Sequence, residues 1–164
     1  MRSTLVFDKD LVALLPRLRR FAHALSRSPA DADDLTQATV ERALRSRDQW
    51  QAGTRLDSWL YKIMRNLWID TVRARGRREK IEAPEVEAER LGEDPRDSIE
   101  ASVDLARMMA AMERLPDEQR EVVALILIEG FGYREAAEML GLPIGTVSSR
   151  LVRGRTALLA LVGV

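Results

Sequence analysis

Residues 133–161 read YREAAEMLGLPIGTVSSRLVRGRTALLAL, two short amphipathic segments joined by a tight turn of glycine and proline. In the first segment Ala136, Ala137 and Leu140 recur at helical spacing, and the small alanines permit another helix to approach closely. Gly141 then ends the first helix. This arrangement predicts a helix-turn-helix, in which the first helix contacts DNA phosphates and the second lies in the major groove.

The second helix of this pair has a packing side and a projecting side. The side chains available for packing are those of Val147, Leu151, Leu158 and Leu159. The side chains available to project toward DNA are those of Ser148, Ser149, Val152, Arg153 and Arg155. After Glu138 the chain contains no acidic residue, so we expect this helix to present a basic surface to phosphates.

Two further helices are predicted immediately before this pair. The first covers residues 105–115 and stops before Pro116. The second begins with that proline and several acids and ends at Gly130. Its expected buried stripe consists of Val122, Val123, Leu125, Ile126 and Ile128. The C-terminal part of the chain is therefore predicted to be helical throughout.

The composition of the 164-residue chain favours an all-α protein and excludes several kinds of site. Aromatic residues make up 5%, and the sequence lacks the alternation of β-branched residues that is typical of strands. There is no cysteine and a single histidine, His23, so disulfides and metal sites built from Cys and His are excluded. No P-loop, GxGxxG or nucleophile motif occurs, so we expect neither an enzyme nor a cofactor.

Charge is balanced overall, with 26 basic and 26 acidic residues, but it is segregated along the chain. Residues 62–80 carry seven basic and two acidic side chains, whereas residues 82–104 carry nine acidic and two basic ones. Because salt screens charges beyond a Debye length of about 10 Å, zero net charge does not prevent the basic segments from binding nucleic acid. The acidic stretch also contains two prolines and a glycine, and it predicts a flexible linker over residues 81–100.

The N-terminal part is predicted to contain three or four helices. Apolar residues recur at helical spacing over residues 11–25, where Pro16 must either kink the helix or lie in its first turn. The next helix is predicted to begin with Ser28 as N-cap and Pro29 at the first helical position.

Three polar residues of this second helix stand out. Asp33 and Asp34 lie near its positive N-terminal end, which favours acids without any function. That preference does not explain why the two aspartates and Gln37 should share an exposed side. A basic partner helix could contact them there.

Residues 59–78, WLYKIMRNLWIDTVRARGRR, predict a long amphipathic helix. Its apolar stripe consists of Trp59, Leu60, Ile63, Met64, Leu67 and Val72, with Trp68 and Ile69 beside it. Its polar side carries Lys62, Arg65, Arg73 and Arg75. Tryptophans on such a helix are more often core than base-stacking platforms. Arginines around an asparagine, after a loop that contains glycine, also suit a surface that reads exposed bases.

Three blocks of the sequence, in this order, closely resemble a bacterial extracytoplasmic-function sigma factor, the minimal group of the sigma-70 family. The blocks are DADDLTQATVERAL, RLDSWLYKIMRNLWIDTVRARGRR and, after the acidic stretch, LPDEQREVVALILIEGFGYREAAEMLGLPIGTVSSRLVRGRTAL. The resemblance covers residues 11–160. It implies two small helical domains, sigma2 over residues 1–80 and sigma4 over residues 101–164, joined by the linker.

The resemblance also implies a function and its residues. The protein would bind core RNA polymerase and direct it to promoters, in a stress or envelope response under the control of an anti-sigma factor. The β′ clamp helices would contact Asp33, Asp34 and Gln37, and the β flap would contact sigma4. The melted -10 element would be read by Trp50, Arg55, Arg65, Asn66, Asp70 and Arg73. The -35 duplex would be read by Thr146, Ser148, Ser149, Val152, Arg153 and Arg155.

Some positions depart from the pattern of the family that the sequence resembles. Ser148 stands where Lys or Arg is common, which predicts weaker phosphate attraction and an altered -35 preference. Thr36 and Ala38 stand where an aliphatic residue and a Glu are common. Gly154 replaces the usual alanine and is expected to cost up to about 1 kcal/mol of helix propensity.

Two other kinds of protein share some of these features. An autonomous dimeric helix-turn-helix repressor would recognise a palindrome without polymerase, and a sigma-mimicking binding protein would titrate a regulator of the true factor. The N-terminus does not predict a secretory signal, and no window approaches 18 apolar residues. We therefore expect a cytoplasmic protein without membrane insertion.

Overall fold

The computed structural model describes residues 2–79 and 99–163, and these contain helices and no strand. The N-terminal half consists of α1 (Arg2–Ser26), α2 (Pro29–Arg45), a short 3-10 turn (Arg47–Gln49) and α3 (Leu56–Glu79). The C-terminal half consists of α4 (Ile99–Arg114), α5 (Asp117–Val123), a π-helical turn (Ala124–Ile128), α6 (Tyr133–Leu140) and α7 (Ile144–Val162). The all-α prediction is confirmed for the described residues.

The N-terminal half is a three-helix bundle. Large apolar side chains from α1 and α3 fill its centre, among them Phe7, Leu18, Phe21, Leu60 and Met64. Val72, the last residue of the predicted apolar stripe, is 48% exposed, because the turns of α3 after Met64 lie at the edge of the bundle.

Two helix boundaries in this half differ in how well the sequence located them. Helix α2 begins as predicted, with Pro29 in its first turn and the Ser28 side chain accepting a hydrogen bond from the backbone N–H of Asp31. Helix α1 begins at Arg2, nine residues earlier than the predicted periodicity, so Pro16 lies inside the helix and not in its first turn.

The C-terminal half packs around α5 and α7. The predicted break at Gly141 is confirmed, since this residue adopts a left-handed conformation with φ of 64° that an L side chain rarely adopts. The helix predicted to run to Gly130 instead changes to a π turn, in which the backbone N–H of Glu129 donates to the carbonyl of Ala124 at 2.9 Å. At the end of this wider turn Ile128, which we predicted to be buried, is 41% exposed, and the next residue, Glu129, is buried.

Gly154 has a packing role that its helix propensity does not suggest. A Cβ atom at this position would lie 2.8 Å from Cγ2 of Val123 and 3.2 Å from Cβ of Gln119. The absence of a side chain therefore allows α7 to approach α5 closely, and alanine would be too large. The propensity cost expected from the sequence is the smaller of the two effects.

The two halves contact one another directly through α1 and α3 on one side and α5, the π turn and α6 on the other. Of the predicted linker, residues 81–98 lie outside the described residues, and α4 begins at Ile99. None of the helices in the described part of the chain combines the length and apolar character needed to cross a bilayer.

Candidate nucleic-acid interfaces

The six residues predicted to contact the -35 element lie on or beside one side of α7, and we call them the -35 face. Ser149, Val152, Arg153 and Arg155 are exposed, and Thr146 and Ser148 are half-buried. The Arg153 guanidinium donates hydrogen bonds to the backbone carbonyl and the hydroxyl of Ser149, both at 3.3 Å. These contacts are exposed and local, so they leave Arg153 able to turn toward a phosphate.

The buried side of α7 holds the -35 face in place. Val147, Leu151 and Leu158 are buried in the C-terminal core, as the sequence predicted. Leu159, the fourth residue predicted to pack, remains 39% exposed. The -35 face is therefore held in place by packing within the C-terminal half.

The six residues predicted to contact the melted -10 element, which we call the -10 face, are distributed over α3 and the segment before it. Asn66, Asp70 and Arg73 are exposed on α3. Trp50 is half-buried, and its ring packs on Phe7 with 5.6 Å between the ring centroids. Trp50 is therefore part of the edge of the core as well as a candidate base-contacting residue.

Two arginines of the -10 face are paired with acids of the C-terminal half. The Arg55 guanidinium donates to the Glu135 carboxylate on α6 as well as to Asp57, at 2.9 and 3.1 Å. The Arg65 guanidinium donates to the Glu121 carboxylate on α5. Burial raises the pKa of Glu121 more than the neighbouring Arg65 lowers it. The sequence did not predict either pair.

The three residues predicted to contact the β′ clamp helices, which we call the clamp surface, are all exposed on α2. Asp34 borders a groove of about 440 Å³ between α2 and α3 that Trp68 and Asp70 also line. Asp31 lies at the same groove, and Arg75 donates two hydrogen bonds to its carboxylate at 2.7 and 2.9 Å, which lower its pKa. Asp33, Asp34 and Gln37 carry no comparable contact to α3 among the described residues.

A buried ionic cluster between the halves was missed by the sequence analysis. The Glu129 side chain is 1% exposed and accepts from Arg20 at 2.7 and 2.9 Å, from the Tyr61 hydroxyl at 2.7 Å and from Arg17 at 3.4 Å. Burial raises the pKa of Glu129, but the hydrogen bonds from Arg20 and Tyr61 outweigh it and hold the pKa below its usual value. Burial and the contact with Glu129 raise the pKa of Tyr61.

A second missed contact joins α1 to the start of α5. Arg120 is 2% exposed and donates to the backbone carbonyls of Ala24 and Leu25, at the end of α1. Arg27 donates in the opposite direction, to the carbonyl of Leu115 at 2.6 Å and to Asp117 at 2.8 Å. The last carbonyls of α1 are therefore satisfied partly by the C-terminal half.

One sequence signal pointed to these residues, although it was weak. Glu129 follows the apolar run ALILI and Arg120 lies two residues before the predicted buried stripe, so each places a charge beside an apolar surface. A buried charge needs a partner. The partners of Glu129 lie 68 to 112 residues away in sequence, where no local pattern connects them. Arg120 also has partners close in sequence, Leu115 and Asp117, but its contacts to α1 lie 95 and 96 residues away.

Comparison with known proteins identifies similarities over nearly the whole chain. The family model described as "Sigma-70 region 2" matches residues 11–78, and the one described as "Sigma-70, region 4" matches residues 105–158. The ECF RNA polymerase sigma factor EcfG of Rhodopseudomonas palustris is 40% identical, over 93% of this chain and 82% of its own length. SigE of Mycolicibacterium smegmatis, also an ECF RNA polymerase sigma factor, is 42% identical over 87% of this chain and 56% of its own length.

A solved structure is similar in fold as well as sequence. The sigma factor RpoE from Bartonella quintana, determined in complex with the anti-sigma factor NepR, superimposes with a TM-score of 0.84 and 34% identity. The match covers 96% of this chain and 97% of that one, so it includes both halves and their relative placement.

Proposed function

Because this chain belongs to the extracytoplasmic-function group of sigma-70 RNA polymerase sigma factors, we propose that it divides promoter recognition between its two halves. The N-terminal half binds core polymerase through the clamp surface and reads the melted -10 element through the -10 face. The C-terminal half reads the -35 duplex through the -35 face and contacts the β flap. Sigma factors act with RNA polymerase in the cytoplasm, and we place this chain there.

One observation carries the proposal for the -35 element. The side chains proposed to contact the duplex lie along one exposed side of α7, whereas the opposite side of the helix is buried. The preceding helix α6 is joined to α7 through the left-handed Gly141, so the pair has the geometry of a helix-turn-helix. A basic helix without acidic residues suits insertion between two phosphate backbones.

The proposal for the -10 element and core polymerase is supported by exposure and charge. Asn66, Asp70 and Arg73 are exposed on successive turns of α3, where amide and guanidinium groups can reach bases and phosphates. The clamp surface is an exposed acidic group that suits a basic partner helix. Two weak DNA contacts mounted on one polymerase gain about 10²–10⁴ in avidity, so a neutral chain need not bind DNA tightly alone.

We further propose that an anti-sigma factor controls this chain, by analogy with the RpoE complex. Helix α4 supports this proposal because several of its large apolar side chains are exposed. They are Val103 at 45%, Leu105 at 61%, Met108 at 40% and Met109 at 45%. An exposed apolar group of this kind is typical of a protein-binding surface.

Run-off transcription with purified core polymerase and a library of promoter fragments, with and without this chain, tests the proposal. Specific new transcripts support a sigma factor and give both element preferences. Tight core binding without transcripts would favour a sigma-mimicking binding protein, and no core binding would favour an autonomous repressor.

The clamp surface is tested separately by Asp34→Arg. Reversing this charge is expected to weaken core binding by at least about tenfold, because a like charge would face the basic partner helix. Asp10→Arg, which reverses an exposed aspartate on α1, is the matched control and should bind core normally. Normal core binding by Asp34→Arg in equilibrium titrations would contradict the assignment.

A further inference from the structure

Acids of the C-terminal half cover part of the -10 face. Glu135 accepts from Arg55 and Glu121 accepts from Arg65, across 80 and 56 residues of sequence. Both acids belong to helices that contact the N-terminal half, α6 against α3 and α5 against α1. A carboxylate offers arginine the same kind of charged, hydrogen-bonding oxygens as a DNA phosphate does. The two acids therefore occupy arginine donors that phosphates would otherwise use.

Glu129 joins the halves between these two pairs. Its carboxylate receives four hydrogen bonds from three N-terminal side chains, Arg17, Arg20 and Tyr61. The neighbouring Phe131 packs edge-on against Tyr61, with 5.2 Å between ring centroids, and lies 4.9 Å from the Arg55 guanidinium. None of Arg17, Arg20 and Tyr61 belongs to the -10 face. The cluster therefore stabilises the contact between the two halves, which we call closure, without using a residue that is assigned to DNA.

We propose that the side of the C-terminal half formed by Glu121, Glu129 and Glu135 is an internal binding surface for the -10 face, with which single-stranded -10 DNA competes. This inference rests on the proposed function in one respect, the assignment of Arg55 and Arg65 to -10 DNA. In the closed chain the -35 face stays exposed, whereas the -10 face is partly neutralised.

Closure has a defined effect on DNA affinity. When only a fraction of molecules is open, the apparent dissociation constant is the intrinsic one divided by that fraction. Any change that weakens the contact between the halves must therefore tighten binding of single-stranded DNA by the free chain. Core polymerase, by holding the two halves on separate sites, would remove the same restraint.

Removing a cation gives the sharpest test, because closure and simple electrostatics predict opposite signs. Arg20→Gln removes a positive charge outside the -10 face and two hydrogen bonds to Glu129. Electrostatic attraction alone predicts weaker DNA binding. Closure predicts binding about tenfold tighter, measured by anisotropy with a labelled, short, single-stranded oligodeoxynucleotide of mixed sequence. Arg19→Gln removes an exposed charge from the same helix and is the matched control, expected to bind equally or more weakly.

The conformation is measured in parallel by energy transfer between dyes on the two halves. The chain has no cysteine, so Asp10→Cys and Ala160→Cys give a single labelled pair at exposed positions outside the contact. Arg20→Gln and Glu129→Gln are expected to lower the transfer, and Arg19→Gln to leave it unchanged. Glu129→Gln alters the same cluster at a residue of the C-terminal half. If one of the two variants fails to fold, the other still tests the proposal.

The possible outcomes separate this inference from the proposed function. Unchanged transfer, or weaker DNA binding, in both Arg20→Gln and Glu129→Gln would overturn closure, even if the wild type directs transcription. Lower transfer without tighter DNA binding would also overturn it, since the two events would then be uncoupled. Because these experiments omit polymerase, a wild-type chain that closes but yields no run-off transcripts would count against the proposed function alone.

Discussion

The -35 face and the -10 face differ in what surrounds them. Within the part of the chain that the structure describes, Arg153 of the -35 face forms hydrogen bonds only to Ser149 of its own helix, whereas Arg55 and Arg65 of the -10 face are paired with acids from the opposite half. The first face is built by local packing of α7 on its own domain. The second is assembled at a boundary between domains, so its availability depends on how the two halves are arranged.

The position of the -35 face is therefore set by packing within one half, whereas the accessibility of the -10 face is set by ion pairs between the two halves. Gly154 fixes α7 against α5 through close packing, which does not change when the halves separate. The pairs of Arg55 and Arg65 are ionic and disappear when the halves separate.

Glu129→Gln is expected to lower the free energy of unfolding by about 2 kcal/mol, because three donors lose a buried charged acceptor. The figure lies below that of a fully buried pair, since Arg20 is 53% exposed and can turn to solvent.

Cooperativity is the second measurement on this variant. All three tryptophans lie in the N-terminal half, so their fluorescence follows that half alone, while circular dichroism follows both. The two denaturation curves should coincide in the wild type and separate in Glu129→Gln. Coincident curves in the variant would show that the cluster does not couple the halves.

Gly154→Ala is expected to destabilise the C-terminal half by about 1–2 kcal/mol, because the added methyl group would overlap Val123 and Gln119. The free-energy cost of this overlap is expected to exceed the gain in helix propensity from glycine to alanine. Gly145→Ala is the matched control on the same helix, since no atom lies within 4 Å of its added methyl group. Thermal unfolding followed by circular dichroism should give a lower Tm for Gly154→Ala only. An equal or higher Tm would mean that α7 shifts without cost.

Arg153→Ala and Arg65→Ala are expected to behave differently in the free chain. Binding to duplex DNA should weaken by about 1 kcal/mol in Arg153→Ala, because one phosphate contact is lost. The slope of the logarithm of the binding constant against the logarithm of the salt concentration should become smaller in magnitude by about one. Arg65→Ala should leave duplex binding almost unchanged, since Glu121 already holds that guanidinium. If filter-binding titrations gave equal losses of duplex affinity in Arg153→Ala and Arg65→Ala, the proposed difference between the -35 face and the -10 face would be contradicted.

The smallest expected effect is on the pH dependence of the free energy of unfolding. The folded-state pKa of Glu129 is lowered. The stabilisation that its carboxylate contributes to the folded chain is therefore complete above the unfolded-state pKa of about 4.3 and is lost as the pH falls through the folded-state pKa. The difference in unfolding free energy between wild type and Glu129→Gln should thus be constant above about pH 5 and shrink below about pH 4.

Glu121 provides the opposite case, because its folded-state pKa is raised. Ionisation of its carboxyl group is therefore less favourable in the folded chain than in the unfolded one, and this cost is relieved as the pH falls through the folded pKa. The same comparison made with Glu121→Gln should therefore change in the other direction. Parallel curves for the two variants would contradict the assigned directions.

Local sequence patterns located most of the helices and the exposed side of α7. The start of α2 at Ser28 and Pro29, the break at Gly141 and the buried side of α7 each depend on residues within one or two turns. Such features can be read directly because the helical repeat and the capping groups are local. The clustering of Ser149, Val152 and Arg153 on one exposed side of α7 follows from the same repeat.

Other features required the three-dimensional structure. The sequence made Gly154 a weakness of α7, whereas its packing against Val123 makes it necessary. The π turn was also unpredicted, and with it Ile128, which was expected to be buried, is exposed. A turn that accommodates one extra residue changes which side of the helix its last residues occupy, and helical periodicity contains no signal for it.

The sequence by itself determined that this protein is helical, that it has two domains of sigma-70 type, and which residues of α7 face outward. Only the tertiary structure decided that Glu129 is buried between the halves and that Arg55 and Arg65 are already paired. The physical reason is distance along the chain. Helix formation depends on neighbours within four residues, whereas an ion pair across 56 to 112 residues exists only once both domains have folded and met.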